Sequence, residues 1–114
     1  MELPQEGLLL RIFIGEQAKC GHKPLYEAVV LKAREMHLAG ATVLRGPLGF
    51  GRSSHLHSAK ILQLSEDLPM VIEIVDTKEK IDGFLPVLDG MISGGLVTLA
   101  KVQLLQYGPS KPER

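Results

Sequence analysis

Apolar residues along this chain follow two rhythms. LLLRIFIG (8–15) and PMVIEIVD (69–76) are runs of aliphatic and β-branched residues of strand length, and a glycine closes the first. Such runs predict strands. ATVLRG (41–46) predicts a short strand, and GGLVTLAKVQLLQYG (94–108) the longest one. KPLYEAVVLKAREMHLAG (23–40) changes rhythm: Leu25, Ala28, Val29, Ala33 and Met36 recur on one helical face, Pro24 suits the first helical position, and Gly40 supplies a stop. TKEKIDGFLPVLDGMI (77–92) predicts a second helix, with Asp76 and Glu79 spaced as an N-terminal capping box. Proline in a helix interior costs about 3 kcal/mol, so this helix, which carries Gly83 and Pro86, is expected to kink or to divide in two.

The order β-α-β-β-α-β predicts an α+β fold, a ferredoxin-like βαββαβ sandwich with an antiparallel sheet and both helices on one face. The domain is expected over residues 8–107, between a flexible N-terminus (1–7) and a flexible tail (108–114). With right-handed crossovers, residues 16–22, 46–68 and 90–95 emerge at the same sheet edge. Period-two parity turns Leu8, Leu10, Ile12, Ile14, Met70, Ile72, Ile74, Leu96, Ala100 and Val102 toward the helices. It leaves Leu9, Arg11, Phe13, Val71, Glu73, Val75, Val97, Leu99 and Lys101 on the opposite face. That face is mostly apolar, as an interface is, with a predicted charge row Lys101, Arg11, Glu73.

Composition narrows the function. The 114 residues carry 13 Lys plus Arg against 13 Asp plus Glu, so no basic field draws the chain to nucleic acid. Two Tyr, three Phe and no Trp leave a core of aliphatic side chains. The single Cys20 cannot form an intramolecular disulfide, and no run of about 18 apolar residues predicts membrane insertion. A cytoplasmic protein is expected.

Candidate chemistry concentrates in RGPLGFGRSSHLHS (45–58). Gly46, Gly49 and Gly51 permit backbone N–H groups to form an anion-accepting concavity, which Arg45 and Arg52 can close with charge-assisted hydrogen bonds of about 1.5–3 kcal/mol each. Lys23, beside the N-terminus of the first helix, adds a cation at the same edge. His55 and His57 can support the ligand or, with Cys20 and His22, supply the four ligands of a tetrahedral metal site. Catalysis is not expected: Ser53, Ser54 and Ser58 lie near those histidines, but a nucleophilic mechanism also needs an oxyanion site and an orienting third group, for which Glu66 and Asp67 are candidates only by proximity in sequence.

The segments KPLYEAVVLKAREMHLAGATVLRGPLGFG (23–51), HLH (55–57) and LSEDLPMVIEIVD (64–76) resemble the uncharacterised PII-like signalling proteins, which are related by fold to the PII nitrogen regulators. The resemblance covers about residues 8 to 107. It implies a homotrimer with the sheets turned inward, and clefts between subunits that take an adenine nucleotide such as ADP or ATP as effector, with no obligatory cofactor. It also implies a signalling loop at 46–68, a second loop at 90–95 facing the phosphates, and a target protein such as a transporter or an enzyme. Two departures stand out: the long loop has no Tyr for uridylylation, and DGMISGGLV lacks the lysine that follows the phosphate-facing glycines in PII proteins. A metal-binding trimer resembling the divalent-cation tolerance proteins, which share the subunit fold, is the alternative.

Overall fold

Strand β1, Gln5–Gly15, runs through the interior of a four-stranded sheet. The computed structural model describes residues 2–49, 57–58 and 67–107, with side chains described for 2–47 and 67–107. After β1 come a two-residue hairpin, β2 (Lys19–Cys20) and β3 (Lys23–Pro24), helix α1 (Leu25–Glu35) and strand β4 (Thr42–Arg45). A second short pair, β5 (Leu48–Gly49) and β6 (His57–Ser58), precedes β7 (Pro69–Thr77), helix α2 (Lys78–Met91) and β8 (Leu96–Leu104). The sheet order is β4-β7-β1-β8, antiparallel throughout, which is the expected ferredoxin-like arrangement.

The core follows the expected parity on the two inner strands. Leu10, Ile12 and Ile14 of β1 and Met70, Ile72 and Ile74 of β7 are buried against Leu25, Val29 and Ala33 of α1 and Ile81, Phe84 and Leu88 of α2. Each of these side chains except Ala33 stabilises the fold by about 1.5–3 kcal/mol relative to exposure.

Strand β8 departs from the expectation. It has nine residues, so β1, with eleven, is the longest strand. Its register sets Val97 opposite Ile12, Leu99 opposite Leu10 and Lys101 opposite Leu8, while Leu96 and Ala100 oppose Phe13 and Leu9. Directly opposed residues share a face, so Val97, Leu99 and Lys101 lie on the helix side, and Leu96, Ala100 and Val102 on the open side. A shift of one residue exchanges the two faces. The predicted charge row therefore shortens to a pair: Arg11 opposes Glu73, and its Nε donates to Oε2 at 2.7 Å, but Thr98 and not Lys101 completes the row.

Helix ends also differ from the sequence reading. α1 stops at Glu35, and His37, not Gly40, takes the left-handed conformation at φ 62°. The His37 N–H donates to the Arg34 carbonyl and the Leu38 N–H to the Ala33 carbonyl, a Schellman closure that packs Leu38 against the core. Pro24 stands just outside α1 as its N-cap. At α2 the cap is Thr77, whose hydroxyl accepts from the Lys80 N–H at 3.3 Å; Asp76 instead points inward with no exposed surface. α2 is one uninterrupted helix despite Pro86. Pro86 lies on the solvent side, where water can satisfy the Asp82 carbonyl that loses its amide partner.

Candidate ligand-binding rim

Four chain segments meet at one end of the sheet because the strands alternate in direction. The C-terminal ends of β1 and β4 and the N-terminal ends of β7 and β8 all lie there, as do the β2–β3 hairpin and the start of α1. The expected convergence of 16–22, 46–68 and 90–95 at one edge is therefore present for their described parts.

Hydrogen bonds tie these segments together. The Glu16 N–H donates to the Leu68 carbonyl at 2.8 Å, and the Gly46 N–H to the Pro69 carbonyl at 2.8 Å. The Asp67 Oδ1 accepts from the Gln17 N–H at 2.6 Å. A Cβ at Gly15 would lie 2.4 Å from that carboxylate, so only glycine lets Asp67 fold over the end of β1. Gly95, at φ 87°, brings the turn before β8 so near β1 that a Cβ would stand 2.4 Å from the Phe13 carbonyl oxygen. Both turns are fastened to the same strand end.

Arg45, the last residue of β4, projects its guanidinium over this rim with a side chain 59% exposed. Its Nη2 lies 3.1 Å from each carboxylate oxygen of Glu16, whose side chain is 23% exposed. Gly46 does not serve as the anion-accepting amide expected of it, because its N–H is taken by Pro69. Lys23, on β3 directly before the α1 N-cap, is exposed, and no side chain caps that helix. Gly49 pairs with His57 across β5 and β6. Gly51, Arg52 and His55 lie outside the described residues, as does the side chain of His57.

For the metal alternative, Cys20 sits half-buried on β2 and His22 is exposed in the β2–β3 turn. Among the described residues, no three His, Cys, Asp or Glu side chains gather closely enough to hold an ion. Among the same residues, no helix is long and apolar enough to cross a membrane.

The opposite end of the sheet holds a group that the sequence reading placed in a different role. Asp76 Oδ1 accepts from the Tyr107 hydroxyl at 2.6 Å and from its neighbour Thr77 N–H at 2.7 Å, and Oδ2 accepts from the Ala39 N–H at 2.8 Å. The hydrogen bond from the Tyr107 hydroxyl to Asp76, and secondarily burial, holds the phenol above its ordinary pKa. Glu16 and Asp76 were both absent from the sequence-based candidates. Asp76 had a visible signal: it continues the inward parity of Ile72 and Ile74.

The family model of DUF190, described as "Uncharacterized ACR", matches residues 7–104. This chain belongs to the DUF190 family. A UPF0166 protein of Aquifex aeolicus is 40% identical over 97 residues, which is 85% of this chain and 91% of that protein. A UPF0166 protein of Methanocaldococcus jannaschii is 32% identical over 92 residues, covering 80% and 84%. Among solved structures, CPII of Thiomonas intermedia K12 superposes with a TM-score of 0.61 at 18% identity, over 92% of this chain and 96% of that one. CPII is a nitrogen regulatory PII-like protein bound there to ADP, AMP and bicarbonate. The B. subtilis GlnK–ATP complex superposes with a TM-score of 0.54 at 13% identity, over 85% and 82%. This DUF190 chain thus has the PII-like fold, as the sequence resemblance implied.

Proposed function

We propose that this DUF190 protein is a regulatory subunit, not an enzyme, that binds an adenine nucleotide at the loop-bearing rim and signals through residues 46–68. The observation that carries the reading is Arg45: an exposed guanidinium at the foot of that loop, with the β2–β3 hairpin, Lys23 and the Gly95 turn fastened around the same strand ends. CPII with ADP and AMP, and GlnK with ATP, support an adenine nucleotide as the effector. Arg45 meets the phosphates together with Gly49, Gly51 and Arg52, and Lys23, His55 and His57 serve as secondary contacts. The target is a protein such as a transporter or an enzyme, and the protein works in the cytoplasm.

The open sheet face supports assembly into a homotrimer with clefts between subunits. Leu44, Val71, Phe13 and Leu96 line up across all four strands on that face, with Leu44 50% and Leu96 58% exposed. Val75, Leu9 and Ala100 form a second apolar row. Between them the Arg11–Glu73 pair is already matched, so covering it strands no lone charge.

Two measurements test the proposal. ADP at a hundredfold excess over its dissociation constant adds about 2.7 kcal/mol to the stability, read as a rise in Tm, and Arg45→Ala lowers the affinity. No stabilisation by ADP, AMP or ATP, or an unchanged response in Arg45→Ala, overturns the site. Sedimentation gives three times the 12.5 kDa protomer mass, and Phe13→Glu dissociates the assembly. A single protomer at micromolar concentration removes the shared cleft.

A further inference from the structure

We propose that Glu16 is a built-in competitor of the effector: its carboxylate holds the Arg45 guanidinium and must be displaced before a phosphate can take that place. The inference rests on Arg45 being a phosphate contact, as proposed above, and adds the residue that sets the threshold for binding.

Three features of the rim distinguish Glu16 from an incidental surface partner. Its backbone is anchored, since its N–H donates to Leu68 at 2.8 Å, so the carboxylate is delivered to Arg45 from a fixed point. It is the less exposed member of the pair, 23% against 59%, which leaves the guanidinium facing outward, where an anion arrives. Both carboxylate oxygens approach one nitrogen, Nη2, at 3.1 Å. A fork of two parallel N–H···O bonds to two nitrogens is the strong geometry for guanidinium, and a phosphate can make it where Glu16 does not. The carboxylate therefore keeps the cation in position with a contact that a doubly charged phosphate can outcompete.

The contact also resists weak anions. Exchange of a singly charged ligand for Glu16 gains little, because one carboxylate replaces another, and the released Glu16 charge stays nearby to repel it. A polyphosphate brings more charge and more acceptor oxygens to the same guanidinium. Glu16 thus imposes the same displacement cost on every anion, so that simple carboxylates, which bind weakly, fall below the threshold for occupancy while a nucleoside diphosphate still binds.

The test is a double-mutant cycle with ADP and, separately, inorganic pyrophosphate as ligands, read by calorimetry. An exposed ion pair contributes about 0.2–1 kcal/mol, so Glu16→Gln, which keeps the shape and removes the charge, is expected to tighten ADP up to about fivefold. In an Arg45→Ala background, where Glu16 has no guanidinium to hold and acts only through its charge, the same change gives a distinctly smaller gain, which a general improvement of the field at the rim would not reproduce. Glu16→Asp, which keeps the charge but withdraws it by one methylene, gives a smaller gain and serves should Glu16→Gln be poorly folded. Equal ADP affinity of the parent protein and both Glu16 variants overturns the inference while leaving the nucleotide reading intact. An equal gain with and without Arg45 also overturns it. Binding of neither ADP nor pyrophosphate by any of these proteins overturns the nucleotide reading and the inference with it.

Discussion

Replacing Asp76 with alanine is expected to be among the most damaging single changes available outside the apolar core. The carboxylate has no exposed surface and accepts three hydrogen bonds, from Ala39 N–H, Thr77 N–H and the Tyr107 hydroxyl. Hydrogen bonds to a charged group contribute about 1.5–3 kcal/mol each, while the cost of burying the charge is recovered on its removal. Tyr107 is half-exposed and can turn to water, so the loss centres on the amides of Ala39 and Thr77, and a net destabilisation of about 2–4 kcal/mol follows. For a chain of this size that lowers Tm by about 8–16 °C, at about 4 °C per kcal/mol. Asp76→Asn does not rescue it: with Oδ1 kept toward Thr77 and Tyr107, the new NH2 faces the Ala39 N–H, donor against donor. Tyr107→Phe removes one of these bonds, and because the half-exposed phenol can otherwise bond to water, the cost falls to about 0.5–1.5 kcal/mol. The phenol's pKa is raised in the folded state, so its stabilisation is complete below its unfolded pKa near 10 and disappears as pH rises through the folded value. Urea denaturation between pH 7 and 11 should therefore show the parent losing stability more steeply than Tyr107→Phe above pH 10. An Asp76→Ala variant within 1 kcal/mol of the parent, or parallel alkaline limbs for the parent and Tyr107→Phe, would refute the reasoning.

His37→Gly should stabilise the protein by about 0.5–1 kcal/mol, because the left-handed position at the end of α1 costs a side-chain-bearing residue more than it costs glycine. The Lys80 Nζ bond to residue 37 goes to its carbonyl and survives, so a lower Tm would contradict the account. Gly95→Ala should lose more than about 2 kcal/mol through the clash with Phe13 and the φ of 87°, whereas Gly94→Ala, with open space around its Cβ, should stay within about 0.5 kcal/mol. Equal losses for the two in urea denaturation would show that the turn does not need its close approach to β1.

What could be read in the sequence was decided by how completely each element is covered. β1 and β7 are inner strands with helices on one side, so their inward positions had to be apolar, and parity followed directly. β8 is an edge strand with Leu96, Val97 and Leu99 all well exposed in the single chain, and LVTLA has no alternation to pin its phase. The register came instead from pairing with β1. Capping was ambiguous for a related reason: Asp76 and Thr77 are both good N-caps, and only the inward direction of position 76 assigns the role to Thr77. At the rim, the family-specific run 45–58 was visible, but Glu16 was not. No local pattern announces a carboxylate that meets an arginine 29 residues away.

The clamp at the base of the 46–68 segment bears on how this family can diversify. Arg45 opposes Met70 across adjacent strands, and the bond from Gly46 to Pro69 closes the excursion at its root. Among the described residues, the framework thus meets the segment where it leaves β4 and where it enters β7. For a chain closing between set ends, doubling the number of residues adds only about 0.6 kcal/mol of entropy cost. Relatives can therefore lengthen, shorten or rewrite this segment while the same hydrophobic chassis continues to fold beneath it.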